Sequence, residues 1–244
     1  MNLLLLSSSR AKNSAYLAPN LAWISEQLAA VSSVLFIPYA AVTQHYDIYL
    51  KNVQDALNTL PVRIEGIHHS ACAKTAVAQA EAIMVGGGNT FQLLNLLYQK
   101  EIIKPIQQRI TDGLPYIGWS AGANIAGATI RTTNDMPIVE PPSFSALHFL
   151  NAQLNPHYTD FVPADFHGET RDMRLAEFMA LNPKMPVIGI PEGSALRCTG
   201  NKLHVLGEDG GYWFLNGEKQ PLATNTELTN RFNKQLAEPL LNSR

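Results

Sequence analysis

Residues 116–124 read YIGWSAGAN. An apolar run from Tyr116 to Trp119 closes on an alternation of glycine and serine, Gly118, Ser120 and Gly122, followed by small, helix-compatible residues. This is the pattern of a buried strand that turns sharply into a helix. It fits the G-x-S-x-G arrangement in which a serine projects from the tip of the turn. Glycines flank the serine because bulkier side chains would clash in so tight a turn. The helix that follows is expected to direct its positive N-terminal end at the serine.

Outward from this unit the same rhythm repeats. Apolar runs at 2–6, 34–37, 63–67 and 82–85 read as strands, with helical patterns near 14–31, 45–58, 73–80 and 90–111 between them. Pro105 suits the first turn of a helix, so the last pattern divides into two helices meeting near Lys104. Alternation of this kind predicts an α/β fold with a largely parallel sheet flanked by helices. After Thr129 the rhythm breaks. Residues 131–168 are rich in Asn, Pro, His and Asp and read as a long functional loop segment. A helix over 170–181 and a buried strand over 187–190 follow, and beyond Ala195 short antiparallel strands joined by Gly-rich turns are expected. No linker interrupts the chain, so residues 1–244 are read as one domain.

Hydrophobic residues make up 46% of the 244, enough for a sizeable core, while charged residues are only 16% and the formal net charge is −2. That balance gives no basic footprint for nucleic acid and no polybasic patch for a membrane surface. The leucine run near the start is too short for a signal or a membrane span and reads as the first strand, which points to the cytoplasm. Cys72 and Cys198 belong to no C-x-x-C pair and are expected as two buried thiols. Neither a metal nor a cofactor is expected.

In an open parallel sheet, ligands bind at the carboxyl ends of the strands. The residues following the strands here are Ser7–Ser9, Gly86–Thr90, Ser120, and Pro191, Glu192 and Gly193, which should share one edge. The segment VGGGNTF (85–91) is not a dinucleotide fingerprint, because Phe91 stands where a third spaced glycine is needed, and it is not a P-loop. Its bare N–H groups, Gly88 among them, suit an oxyanion hole completed by the N–H of Ala121. Alternatively, Asn89 or Thr90 caps a helix.

A nucleophilic serine needs a base. His157, in NPHYTD, and His167, in FHGET, are the candidates in the loop-rich segment, whereas His68 and His69 read as exposed and His204 has no evident partner. The carboxylate that orients the base is Glu192, at a strand end, or Asp135, in TTNDMP. On the helix after Thr170, helical periodicity puts Arg171 on the same face as Leu175, Phe178 and Met179. An inward arginine there could grip a carboxylate through paired hydrogen bonds; a local ion pair with Glu169 or Asp172 is the alternative.

Taken together, GGGNTFQLL, YIGWSAGAN, RTTNDMPIV, NPHY, GETR and IPEG resemble the aspartyl dipeptidases of the peptidase E family, from the first strand to at least Gly193. The resemblance implies a serine peptidase acting on dipeptides with an N-terminal aspartate, and a fold similar to class I glutamine amidotransferases. It implies Ser120 as nucleophile, His157 as base, either Glu192 or Asp135 as third member, and Arg171 with Asn89 on the substrate. Two other readings stand beside it. One is a cyanophycinase-like hydrolase of an aspartate-rich polymer. The other is a non-enzymatic binding protein on the same scaffold, which would be expected to have lost Ser120 or His157. Oligomeric state is not readable from the sequence.

Overall fold

The computed structural model describes residues 1–229; residues 230–244, the tail of the expected domain, lie outside the described residues. The strands are β1 (Asn2–Leu6), β2 (Ser33–Ile37), β3 (Arg63–Gly66), β4 (Ile83–Val85), β5 (Pro115–Trp119), β6 (Gln153–Pro156), β7 (Val187–Ile190), β8 (Ala195–Thr199), β9 (Lys202–Leu206), β10 (Gly211–Leu215) and β11 (Glu218–Leu222). The helices are α1 (Leu21–Gln27), α2 (Tyr46–Ala56), α3 (Ala73–Gln79), α4 (Thr90–Gln99), α5 (Ile103–Thr111), α6 (Ala121–Asn124) and α7 (Arg171–Leu181).

Seven strands form the main sheet in the order β3-β2-β4-β5-β1-β8-β9. The first five are parallel, and β8 and β9 extend the edge in antiparallel fashion. Leu3 to Leu6 of β1 are all fully buried, as a parallel strand covered on both faces requires. Alternate residues serve opposite sides. Leu3 and Leu5 pack with Leu93 and Leu94 of α4 and Ile106 of α5, while Leu4 and Leu6 pack with Ile24 of α1 and Val53 of α2. The result is a sheet between two helical layers.

A second sheet, ordered β11-β10-β7-β6, was not anticipated. Its β6 lies inside the segment read as loop, and it pairs in parallel with β7, Pro156 opposite Ile190. The strand over 187–190 therefore belongs to this smaller sheet and not to the main one. Helix α7 covers it through Leu175 and Met179, which pack on Val187, Tyr158 and Phe214.

Other departures are local. The helical pattern near 14–31 shortens to a 3-10 turn at Ala18–Asn20 and α1, because Pro19 occupies the start of that turn. The strand expected over 63–67 stops at Gly66, where a 3-10 turn begins. Cys198 is buried as expected, but Cys72 is exposed, since it occupies the residue just before α3 at the surface. His204 does have a partner, Glu227, at 3.6 Å. Helix α6 is a single turn of four residues, too short to carry the dipole expected of the helix after Ser120.

Candidate active site

The G-x-S-x-G turn folds α6 back over the sheet, and the two glycines sit where the backbones meet. A Cβ on Gly118 would fall 2.3 Å from the carbonyl oxygen of Gly122, and one on Gly122 would fall 2.2 Å from that of Val85. Between them Ser120 is forced to φ 52, ψ −113, a backbone conformation that a non-glycine residue adopts only when its surroundings over-determine it. Its N–H donates to the Leu6 carbonyl at 3.2 Å, which anchors the turn to β1.

Ser120 Oγ lies 3.0 Å from His157 Nε2, and His157 Nδ1 lies 2.7 Å from Glu192 Oε1. The three groups therefore form one hydrogen-bonded line. His157 follows the last residue of β6, and Glu192 follows β7 by two residues. The parallel pairing of these strands brings both side chains to one end of the small sheet. His157 too has positive φ, 56°. Its backbone N–H donates to Ser7 Oγ at 2.9 Å, and the Ser7 hydroxyl donates to the Ile190 carbonyl at 2.7 Å. Ser7 is fully buried. One hydroxyl thus ties the end of β1 to the ends of β6 and β7. The sequence signal was three serines after the first strand, but nothing there distinguished Ser7 from its neighbours.

The glycine loop after β4 borders the same cleft. Gly88 adopts φ 138 beside the Ala40 carbonyl, where a Cβ would stand only 2.3 Å away. Tyr49 fixes this loop by donating to the Gly87 carbonyl at 3.0 Å while accepting from Trp119 Nε1 at 3.2 Å. Neither the Gly88 nor the Ala121 N–H has a protein acceptor among the described residues. A cleft of about 510 Å³ is lined by Gly87, Gly88, Asn89, Ser120 and His157, with residues 40–44 as its outer wall. A smaller cavity of about 20 Å³ joins Ser120, Ala121 and His157 to Thr90, Asn134 and Asp135.

Asp135 stands elsewhere than at the imidazole. Its Oδ2 accepts from the Thr90 N–H at 2.8 Å, from the Thr90 hydroxyl at 2.6 Å and from Thr133 at 3.1 Å. No hydrogen bond joins it to His157 among the described residues, so it braces its loop on the first turn of α4. Asn89 is occupied as well. Its side chain caps α4 by accepting from the Gln92 N–H at 3.0 Å and donates to the Met136 carbonyl at 2.8 Å. The helix-capping alternative therefore describes its side chain, although the residue still borders the cleft.

Arg171 is half-buried at the start of α7, and its Nη1 donates to Asn134 Oδ1. The expected acidic neighbours are engaged with other partners: Glu169 with Arg174 at 3.6 Å and Asp172 with Lys219 at 2.9 Å. Asn134 in turn accepts from Asn155 at 3.0 Å and donates to the Pro156 carbonyl at 2.9 Å. Arg171 reaches the cavity beside Ser120 through Asn134 and does not itself line it. Burial, with Arg174 nearby, lowers its pKa, yet a guanidinium remains charged at neutral pH. His167 is exposed on the outer segment and lines neither cavity.

The model of Peptidase family S51 matches residues 3–206. Peptidase E of Shewanella amazonensis is 48% identical over 227 residues, covering 93% of this chain and 97% of that relative. Peptidase E of Shewanella denitrificans is 48% identical over 231 residues, covering 94% and 98%. The crystal structure of a peptidase from an acI-B1 Actinobacterium superposes with a TM-score of 0.63 at 18% identity, covering 93% of this chain and 95% of that one. That likeness is one of fold.

Proposed function

The chain belongs to peptidase family S51 and is a serine-type peptidase, and we propose that it hydrolyses Asp-Xaa dipeptides, as one catalytic domain in the cytoplasm. The observation that carries this reading is the hydrogen-bonded line Glu192–His157–Ser120 at the floor of an open cleft. In the proposed mechanism His157 Nε2 removes the Ser120 proton as Oγ attacks the scissile carbonyl. Glu192 holds the Nδ1–H tautomer and stabilises the imidazolium that forms. The tetrahedral oxyanion is received by the N–H groups of Gly88 and Ala121. His157 then returns the proton to the leaving amine, and water, activated by the same base, releases aspartate from Ser120.

Arg171 is the group assigned to the aspartate side chain. In support, it is half-buried, makes no salt bridge to a carboxylate among the described residues, and is held by an Asn134 that lines the cavity beside Ser120. Asn89 shapes the opposite wall by fixing the loop at Met136. Asp135 is assigned a bracing role, and among the described residues no helix is long and apolar enough to cross a membrane.

The test is hydrolysis of Asp-Leu beside Glu-Leu, Asn-Leu and an N-blocked Asp-Leu. Efficient cleavage of Asp-Leu alone supports the proposal. Equal cleavage of Asp-Leu and Asn-Leu, or no cleavage of Asp-Leu, removes the substrate assignment.

A further inference from the structure

Away from the catalytic cleft, three histidines and a carboxylate converge where α2 begins beside the turn that follows β3. Asp47 lies in the first turn of α2. His68 and His69 are consecutive in the 3-10 turn Ile67–His69. Consecutive residues usually diverge, but here the tight turn brings the two rings to 4.2 Å between centroids. Both Nε2 atoms face one oxygen: His68 Nε2 is 3.0 Å and His69 Nε2 2.6 Å from Asp47 Oδ1. The other carboxylate oxygen lies 3.5 Å from His45 Nδ1.

From this convergence we propose that Asp47, His68 and His69 form a three-ligand surface binding site for a divalent transition metal of the zinc type, its remaining position open to water. The donor set is right for such an ion: neutral imidazoles with one carboxylate are preferred by zinc, and not by the oxygen-seeking calcium or magnesium. The spacing is right too. The ligand atoms of Asp47, His68 and His69 lie within 4.8 Å of one another. Around a tetrahedral ion, ligand atoms roughly 2.0–2.1 Å from the metal stand about 3.3 Å apart. The two His–Asp separations, 3.0 and 2.6 Å, need to open by about 0.3 and 0.7 Å to reach that spacing.

His68 is also held in place. Its ring lies over Gly66, where a Cβ would fall 2.3 Å from Cε1, and lies tilted against Tyr46 with the ring centroids 5.5 Å apart. Its Nδ1 is buried without a partner, leaving Nε2 as the edge available to an ion. Asp47 and His69 are both exposed, so an ion has direct access from solvent. No sequence pattern announced the site, because Asp47 and the His68–His69 pair, 21 residues on, match no recognised metal spacing.

The test uses untagged, chelator-treated protein titrated with Zn2+ at neutral pH, and with Co2+ for its visible spectrum. The proposal expects one equivalent of Zn2+ per chain, tetrahedral-type Co2+ bands, and a Tm that rises on adding Zn2+. In His69→Ala and Asp47→Asn, both at exposed positions, Zn2+ affinity should fall by at least about tenfold and the Tm rise should vanish. His157→Ala controls for the other His–carboxylate pair and should keep its equivalent. Stoichiometric binding lost in His157→Ala but kept in the two surface variants overturns the proposal, as does the absence of stoichiometric binding by the unmutated protein.

Discussion

His157 and Glu192 leave the carboxyl ends of neighbouring parallel strands, and the 2.7 Å contact between Nδ1 and Oε1 follows from the register that sets Pro156 opposite Ile190. A sheet of four strands thus delivers His157 and Glu192 together, while the main sheet delivers Ser120 from β5. The hydrogen-bonded line is assembled across the junction of the two sheets, with the buried hydroxyl of Ser7, at the end of β1, bonded to the ends of β6 and β7.

The assignment of the third member separates on amide substitution. Glu192→Gln keeps the size but not the charge, so kcat on Asp-Leu should fall by at least about tenfold, an exposed carboxylate mattering less than the roughly 10⁴ of a buried one. Asp135→Asn should act mainly on KM and stability, because its carboxylate holds Thr90 and Thr133. Steady-state kinetics of both variants decide. A severe kcat loss confined to Asp135→Asn reverses the roles.

Ser7→Ala removes the acceptor of the His157 N–H and the donor to Ile190. Leaving such groups unpaired in a buried site costs about 1–3 kcal/mol, measurable as a lower denaturation midpoint. Because His157 is held at positive φ by this bond, kcat should drop more than KM rises. An unchanged kcat in a destabilised variant would reduce Ser7 to a packing role.

Gly122→Ala places a methyl group 2.2 Å from the Val85 carbonyl oxygen. Relieving that contact means shifting backbone at the Ser120 turn, and overpacking of this kind costs roughly 1–3 kcal/mol. Thermal unfolding should show a reduced Tm, and activity should fall with it. A variant with the parent's Tm would mean that the turn relaxes freely.

Arg171→Ala should reduce kcat/KM for Asp-Leu by at least about tenfold, equivalent to roughly 1.4 kcal/mol. It should also shrink the preference for Asp-Leu over Asn-Leu. Competition between the two dipeptides reads this directly. Full retention of the preference places the carboxylate-binding group elsewhere.

Strands β1, β2, β4 and β5 were readable because strands covered on both faces appear as apolar runs, as Leu3 to Leu6 do, while β3, at the sheet edge, alternates exposed Arg63 and Glu65 with buried Ile64 and Gly66. Strand β6 was not, because its sequence is Gln-Leu-Asn-Pro. Its polar residues are buried, and their partners are remote: Gln153 accepts from Thr129 at 3.0 Å and Asn155 donates to the Thr132 carbonyl at 2.7 Å. No local pattern announces such satisfaction. Without β6 the small sheet stayed hidden, and the expectation that Glu192 and Ser120 share an edge rested on the wrong sheet. The buried face of α7 was legible from its period, with Leu175 and Met179 buried and Arg171 half-buried at its start. The attachment of Arg171 to Asn134 was not, because it joins segments 37 residues apart.

The most direct measurement is the rate at which leucine is released from Asp-Leu by the parent protein and by Ser120→Ala, each shown to be folded by its unfolding transition. Ser120 packs little at its strand end, so the substitution should change stability by only about 0.5 kcal/mol. Turnover should fall by several orders of magnitude, on the order of 10⁶ at the strongest. Robust release of leucine by the parent with none detectable from folded Ser120→Ala is the predicted result. Leucine release by the purified variant at a rate comparable to the parent's would contradict the serine mechanism and the site built around it.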